Sequence, residues 1–194
     1  MRREINFTIV TRAEEVMQIL ELQECNLPHS LGENEKAEQG FVTVRHDPEV
    51  LKEMNEVSPS VIAKDGNRLI AYALVMTPFF KERIPVLVPM FRMIEKISYL
   101  GMPLSSYRYF IMGQVCIAKE YRGQGLFYLL YENLRSRLKD KYELLITEVS
   151  SRNQRSLKAH LNAGLKIIHT YTDPAGETWE LMIWDWKDRI PPST

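Results

Sequence analysis

Between residues 109 and 186 the sequence alternates between two periodicities, and that alternation limits the fold more than any other feature. "YFIMGQVCIA" (109–118), "YELLITEVS" (142–150), "LKIIHTY" (165–171) and "ETWELMIWDW" (177–186) are apolar runs of strand length, rich in β-branched and aromatic residues. Between the first two runs, apolar positions at Phe127, Leu130, Tyr131, Leu134 and Leu138 fall on one face of a helix. "NQRSLKAHLNAG" (153–164) then gives a shorter helix with a glycine C-cap at Gly164. "DPAG" turns the chain into the last strand.

The first half adds elements on the same scale. "INFTIV" alternates like a strand, and a helix follows with apolar positions at Val16, Ile19, Leu20 and Leu22. Thr11 is the expected N-cap, with Glu14 completing a capping box. Residues 28–48 are polar and glycine-containing, a loop with a short extended piece at 41–44. "PEVLKEMNEV" starts a helix on Pro48, where a missing N–H does no harm. "SVIAKDGNRLIAYALVM" (60–76) is two strands joined by a turn at Asp65-Gly66. Residues 78–108 hold Pro78, Pro85, Pro89 and Pro103 among apolar residues and form an insertion with a short helix at 91–100. Three readings of it stand open: a cap over an acceptor site, a homodimer surface, or a packed excursion filled by methionine. The order β-α-α-β-β-insertion-β-α-β-α-β-β predicts one α/β domain over residues 1–194, built on one mixed sheet.

Composition removes several function classes. Hydrophobic residues make up 45% of the 194, enough for a core, so a disordered chain is excluded. Lys plus Arg number 25 and Asp plus Glu also 25, which gives no electrostatic ground for nucleic acid or an anionic membrane as partner. Cys25 and Cys116 lie far apart and form no zinc pattern, so no metal is expected and both read as free thiols. "MRREINFTIV" has no apolar core for a leader, and "LIAYALVMTPFF" is too short to span a bilayer. A soluble cytoplasmic protein is the expectation.

The chemistry concentrates at Gly123 and Gly125, two poor helix formers at the start of a well-patterned helix. Residues without side chains let backbone N–H groups approach a bound group, and helix starts attract anions. With Arg122 beside them, a phosphate or pyrophosphate is the natural ligand; a plain chain-reversing turn is the alternative. The P-loop pattern is absent. A dinucleotide fingerprint is closer, with Glu148 where a ribose-binding acid would stand, but Tyr128 occupies the third glycine position.

"VCIAKEYRGQGLFYLLYENL" closely resembles the acetyl-CoA-binding segment of the GNAT superfamily of N-acetyltransferases. That signature is Arg or Gln, two residues, Gly, one residue, then Gly or Ala; Arg122, Gly125 and Phe127 occupy its named positions, Phe127 in place of the small residue. "TEVSSRNQRSLKAHLNAGLKII" resembles the strand, helix and strand that follow, with Asn153, Ser156 and Gly164 at the family's Asn, small and Gly positions. The resemblance is strong over residues 112–168.

It implies a mostly antiparallel sheet whose central parallel strand pair splays apart, with flanking helices. Acetyl-CoA would be the acyl-donor cosubstrate. Its pantetheine arm would pair with the backbone of Val115, Cys116 and Ile117, much as a peptide adds to a sheet edge. Its pyrophosphate would meet the N–H groups of Gly123, Gln124, Gly125, Leu126, Phe127 and Tyr128 beside Arg122, and Asn153 and Ser156 would hold the arm.

Transfer to an amine needs a base for the ammonium and gains from an acid for the leaving thiolate. Glu148, at the C-terminal end of a buried strand, matches the Glu that serves as base in some members. His160 stands where many members carry a tyrosine that protonates the thiolate, and imidazole can do that work near neutrality. Cys116 invites a covalent-intermediate reading, but a small strand residue is favoured because no partnered base is identifiable. Tyr107, Tyr109 and Tyr171 are candidates for lining an acceptor site. The functional expectation is an N-acetyltransferase acting on a primary amine of a small molecule or peptide. A non-catalytic acyl-CoA-binding or sensing module is the alternative, and a nucleotide-binding oxidoreductase the third reading.

Overall fold

The computed structural model describes residues 4–32, 42 and 44–187. Strand β1 (Ile5–Ile9) leads into helices α1 (Ala13–Glu24) and α2 (Pro48–Val57), then the hairpin β2 (Val61–Asp65) and β3 (Arg68–Met76). Helix α3 (Val88–Lys96) and the small ladder β4 (Ser98–Tyr99) and β5 (Met102–Pro103) make up the insertion. The rest alternates as the sequence predicts: β6 (Tyr109–Ile117), α4 (Leu126–Leu138), β7 (Leu144–Ser150), α5 (Gln154–Asn162), β8 (Lys166–Thr172) and β9 (Thr178–Asp185). Among the described residues one seven-stranded sheet runs in the order β1-β2-β3-β6-β7-β9-β8, and its only parallel neighbours are β6 and β7. No helix among the described residues is long and apolar enough to cross a membrane.

Strand alternation divides the core between the two faces of the sheet. Leu144, Ile146 and Leu181 pack with Ile19 of α1, Leu51 of α2 and Ile94 of α3. Leu145, Val149 and Met182 face the other way, against Leu130 and Tyr131 of α4 and Leu157 of α5.

The feature that positions the site is the brief contact of β6 with β7. They pair only at Tyr109↔Leu144, Phe110↔Leu145 and Ile111↔Ile146, and then part. The cause lies in the ladder with β3, where Leu74 faces Gln114 and Val75 faces Met112. Gly113 is thus an extra residue on β6, a bulge that bends the strand where it leaves β7. Beyond it, β6 stays bonded to β3 as far as Ile117, and β7 stays bonded to β9 as far as Ser150. The opened edge of β6 faces a gap in the middle of the sheet.

Three local expectations change. The first helix is capped at Arg12 rather than Thr11, and Glu15 rather than Glu14 completes the box: its Oε2 accepts from Thr11 N (2.8 Å) and Arg12 N (3.1 Å). Burial decides this, because Glu15 Oε1 also meets the buried Lys64 Nζ at 3.1 Å, which the outward-facing Glu14 cannot reach. The insertion helix runs Val88–Lys96 instead of 91–100; Pro89 sits in its first turn, and Ile97 is extended, its carbonyl accepting from Leu104 N at 2.8 Å. In the predicted extended piece, Phe41 and Thr43 lie outside the described residues, while Val42 and Val44 are buried. Within residues 78–108, Phe80, Met90, Phe91, Ile94 and Leu104 enter the core shared with α1 and α2, while Phe79, Val86 and Met102 are exposed.

Candidate active site

The gap between β6 and β7 opens into a cavity of about 330 Å³. Val115, Cys116 and Ile117 form one wall, and Asn153, Ser156 and Ala159 of α5 the other. Gly123, Gly125, Leu126 and Phe127 close the end where α4 starts, with Arg122, Arg155 and Asn26 at the margin. A smaller cavity of about 70 Å³ shares Val42, Val115, Asn153 and Ser156 with the first. It continues past Gly113 and Gln114 to Glu148, His160 and Trp179. None of the described residues of 78–108 lines either cavity.

Both glycines of the turn adopt left-handed backbone, Gly123 at φ +73° and Gly125, the N-cap of α4, at +79°. A Cβ placed on either would meet no protein atom within 4 Å, so the space they border is open. Conformation, not packing, requires glycine here. Arg122 fixes the turn in place: its Nε donates to Ile117 O (3.1 Å) and its Nη2 to Asn26 Oδ1 (2.5 Å). The guanidinium thereby ties the end of β6 and the end of α1 to the start of α4. Asn153 N-caps α5, its Oδ1 accepting from Ser156 N at 3.2 Å.

The cavity therefore brings together Val115, Cys116, Ile117, Arg122, Gly123, Gly125, Leu126, Phe127, Asn153 and Ser156, all expected from sequence. Gln124 and Tyr128, expected to offer backbone N–H groups, are not among the lining residues; Gln124 Nε2 donates to Glu120 O at 3.0 Å, and Tyr128 is an exposed aromatic on α4. Asn26, Arg155, Ala159 and Trp179 were not foreseen. Ala159 lies three residues beyond Ser156 on the same helix, so helical spacing could have offered it; nothing local marks Asn26, Arg155 or Trp179.

Glu148 sits in the smaller cavity, where Tyr171 Oη donates to its Oε2 at 2.5 Å. Burial pushes its carboxyl up to about 7; the Tyr171 bond opposes this and the Asp173 charge adds to it. A carboxyl titrating near neutrality is suited to taking a proton from an amine. Cys116 is driven the other way from reactivity, its thiol pushed up to about 12 by burial, which leaves no thiolate for a covalent intermediate. Tyr107 Oη is committed to Tyr99 O (2.7 Å) and neither Tyr107 nor Tyr109 lines the cavities. Of the three candidate tyrosines, Tyr171 is the one joined to the site.

The surroundings of His160 argue against the role of acid. It is buried edge-on against Phe127 and Tyr131, with ring centroids 5.0 and 5.6 Å away. Its Nδ1 lies 2.7 Å from Ser156 O, and a carbonyl only accepts, so the proton sits on Nδ1. Nε2 then carries a lone pair and is buried with no hydrogen-bond partner among the described residues. Burial holds the imidazole down to about 4, so at neutral pH no second proton is available for a thiolate. Because the folded value lies below the unfolded one, His160 contributes stability above about pH 6.5 that is lost as pH falls toward 4. Ring-proton NMR should find His160 titrating near 4, and His160→Phe should keep most of the turnover. A midpoint above 6, or a collapse of turnover in the Phe variant with acetyl-CoA binding intact, would restore the acid role.

No family model and no curated protein matches the sequence. Solved structures do match. A GNAT-family protein from Desulfovibrio desulfuricans superposes with a TM-score of 0.64 at 12% identity, over 94% of this chain and 99% of that one. The ribosomal-protein-S18-alanine N-acetyltransferase of Escherichia coli gives 0.62 at 11%, over 98% and 99%. A chain of the NatC complex, solved bound to Gag peptide and CoA, gives 0.63 at 14%, over 94% and 98%.

This chain has the GNAT fold.

The mostly antiparallel sheet with one parallel pair and helices on both faces is the architecture this chain shares with those structures. In this GNAT fold the opened strand edge is the one carrying Val115, Cys116 and Ile117.

Proposed function

We propose that the protein is an N-acetyltransferase that moves the acetyl group of acetyl-CoA to a primary amine by direct attack in a ternary complex. The observation that carries this reading is the continuity of the two cavities. An open cavity at a helix start leads along the opened strand edge to a half-buried carboxyl raised to about 7. The pyrophosphate of CoA would meet the N–H groups at the start of α4, and the pantetheine arm would lie along β6. The thioester would then reach the gap beside Glu148.

There the amine nitrogen attacks the thioester carbonyl, the C–S bond breaks, and the electron pair leaves on the CoA sulfur. Glu148 takes the proton the nitrogen loses, directly or through one water. Backbone N–H groups of the opened β6 edge stabilise the developing oxyanion. With His160 neutral and its one proton on Nδ1, solvent protonates the thiolate.

A non-catalytic acyl-CoA sensor would use the same large cavity but would have no use for a carboxyl held near 7 in the gap. Two measurements test the reading. Calorimetric titration should show acetyl-CoA binding and NADH not. Thiol release from acetyl-CoA, followed over amino acids, polyamines, aminosugars and peptides, should rise with at least one amine. Binding of acetyl-CoA with no amine-dependent release anywhere in the panel would favour the sensor; preference for NADH would favour the oxidoreductase.

A further inference from the structure

Glu148 has a partner that a general base does not require. Tyr171 reaches from β8 across β9, the intervening strand, to place its hydroxyl 2.5 Å from Glu148 Oε2. The register makes this a diagonal contact: Glu148 stands opposite Leu181, and Tyr171 opposite Trp179, two residues along β9. Two residues beyond Tyr171, in the turn to β9, Asp173 is fixed by three donors. Ala175 N (2.8 Å) and Glu177 N (3.0 Å) hold Oδ1, and Trp179 Nε1 (2.9 Å) holds Oδ2. Trp179 itself lines the small cavity with Glu148, so the hairpin brings a hydroxyl and a carboxylate to the base from one side.

We propose that Tyr171 is a positioning residue for Glu148, holding Oε2 so that Oε1 is the oxygen that takes the proton, with Asp173 as the fixed charge opposing ionisation. This rests on Glu148 being the base. The groups around Glu148 divide clearly. From β8, Tyr171 bonds it and His169 stacks on Tyr171 with ring centroids 6.4 Å apart. From β9, Leu181 is apolar and the Trp179 indole N–H is taken by Asp173. From β6, Gln114 is uncharged and donates to Val44 O. From α5, His160 is neutral. Tyr171 therefore supplies the hydrogen bond that favours the carboxylate, and Asp173 the charge that disfavours it.

The two act in opposite directions, which a purely structural role would not produce. Tyr171→Phe removes the bond to the anion, so the acid limb of kcat/KM should move to higher pH, by about one unit. Asp173→Asn keeps an oxygen for Ala175 and Glu177 and removes the charge, so its limb should move to lower pH. Added salt should shrink the Asp173 effect, which is a charge acting at a distance, more than the Tyr171 effect, which is a direct hydrogen bond. Acetyl-CoA affinity, measured alongside, reports whether each variant folds, and Asp173→Asn serves alone if Tyr171→Phe does not. Limbs that superimpose on wild type, or move in the same direction, overturn the proposal. The outcome for Glu148→Gln separates the two claims: an inactive variant with unmoved limbs sinks the positioning role alone, and a fully active one sinks both.

Discussion

Glu148→Gln should turn over roughly 10²–10⁴-fold more slowly than wild type, the usual range for loss of a general base, while binding acetyl-CoA normally. Glutamine keeps the size of the side chain and an oxygen to accept from Tyr171, but it cannot take a proton. The active form of wild type is the carboxylate, so its rate should climb as pH rises through about 7, and the variant should lose that limb. Stability should move the opposite way. A carboxyl raised from 4.5 to about 7 binds more protons folded than unfolded, so wild type is progressively destabilised across that window as pH rises. Relieved of this, Glu148→Gln should be the more stable protein above pH 7, by up to about 3 kcal/mol. Loss of activity with gain of stability marks a functional carboxyl. A loss below tenfold with no stability gain would mark a structural one.

Gly125→Val should lower acetyl-CoA affinity by about tenfold or more and leave the fold standing. At φ +79° a β-branched residue is strained by about 1–3 kcal/mol, a local penalty that a well-packed domain tolerates. A Cβ at this position meets no protein atom within 4 Å, so the added side chain enters the open space where the phosphate would sit. Gly125→Ala, with the same backbone conflict and a smaller side chain, should fall between. Isothermal titration with acetyl-CoA and a thermal melt read both effects; affinity equal to wild type in the Val variant would mean the glycines serve the turn alone.

How much of this was legible in the sequence depended on the range of the interaction. Elements whose cause is local were readable, such as the Pro48 helix start, the Gly66 hairpin and the Gly164 C-cap, since a few adjacent residues dictate them. So was most of the cavity lining along residues 115–127 and 153–156, where the chain itself supplies consecutive wall and floor. Glu15 displaced Glu14 at the first cap because of Lys64, 49 residues away, which no local motif contains. The bond from Arg122 to Asn26 spans 96 residues and is invisible in the same way. The bulge at Gly113 could be seen as a glycine in a strand, but not as the point where two strands separate. What speaks against His160 as the acid is nothing a sequence carries: which nitrogen holds the proton depends on the carbonyl of Ser156, one turn back, and on burial. Tyr171 was seen as a candidate, but its pairing with Glu148 needs β9 between them.

A single-turnover experiment bears most directly on the proposed chemistry. Enzyme loaded with acetyl-CoA is mixed with the best amine from the panel, and acetyl amide, free CoA thiol and intact protein mass are followed together. Direct attack in the gap beside Glu148 requires amide and thiol to appear at one rate, with the protein mass unchanged throughout and the rate rising with pH through about 7. Acetyl accumulating on Cys116 before amide forms, or thiol released without amide, would contradict it.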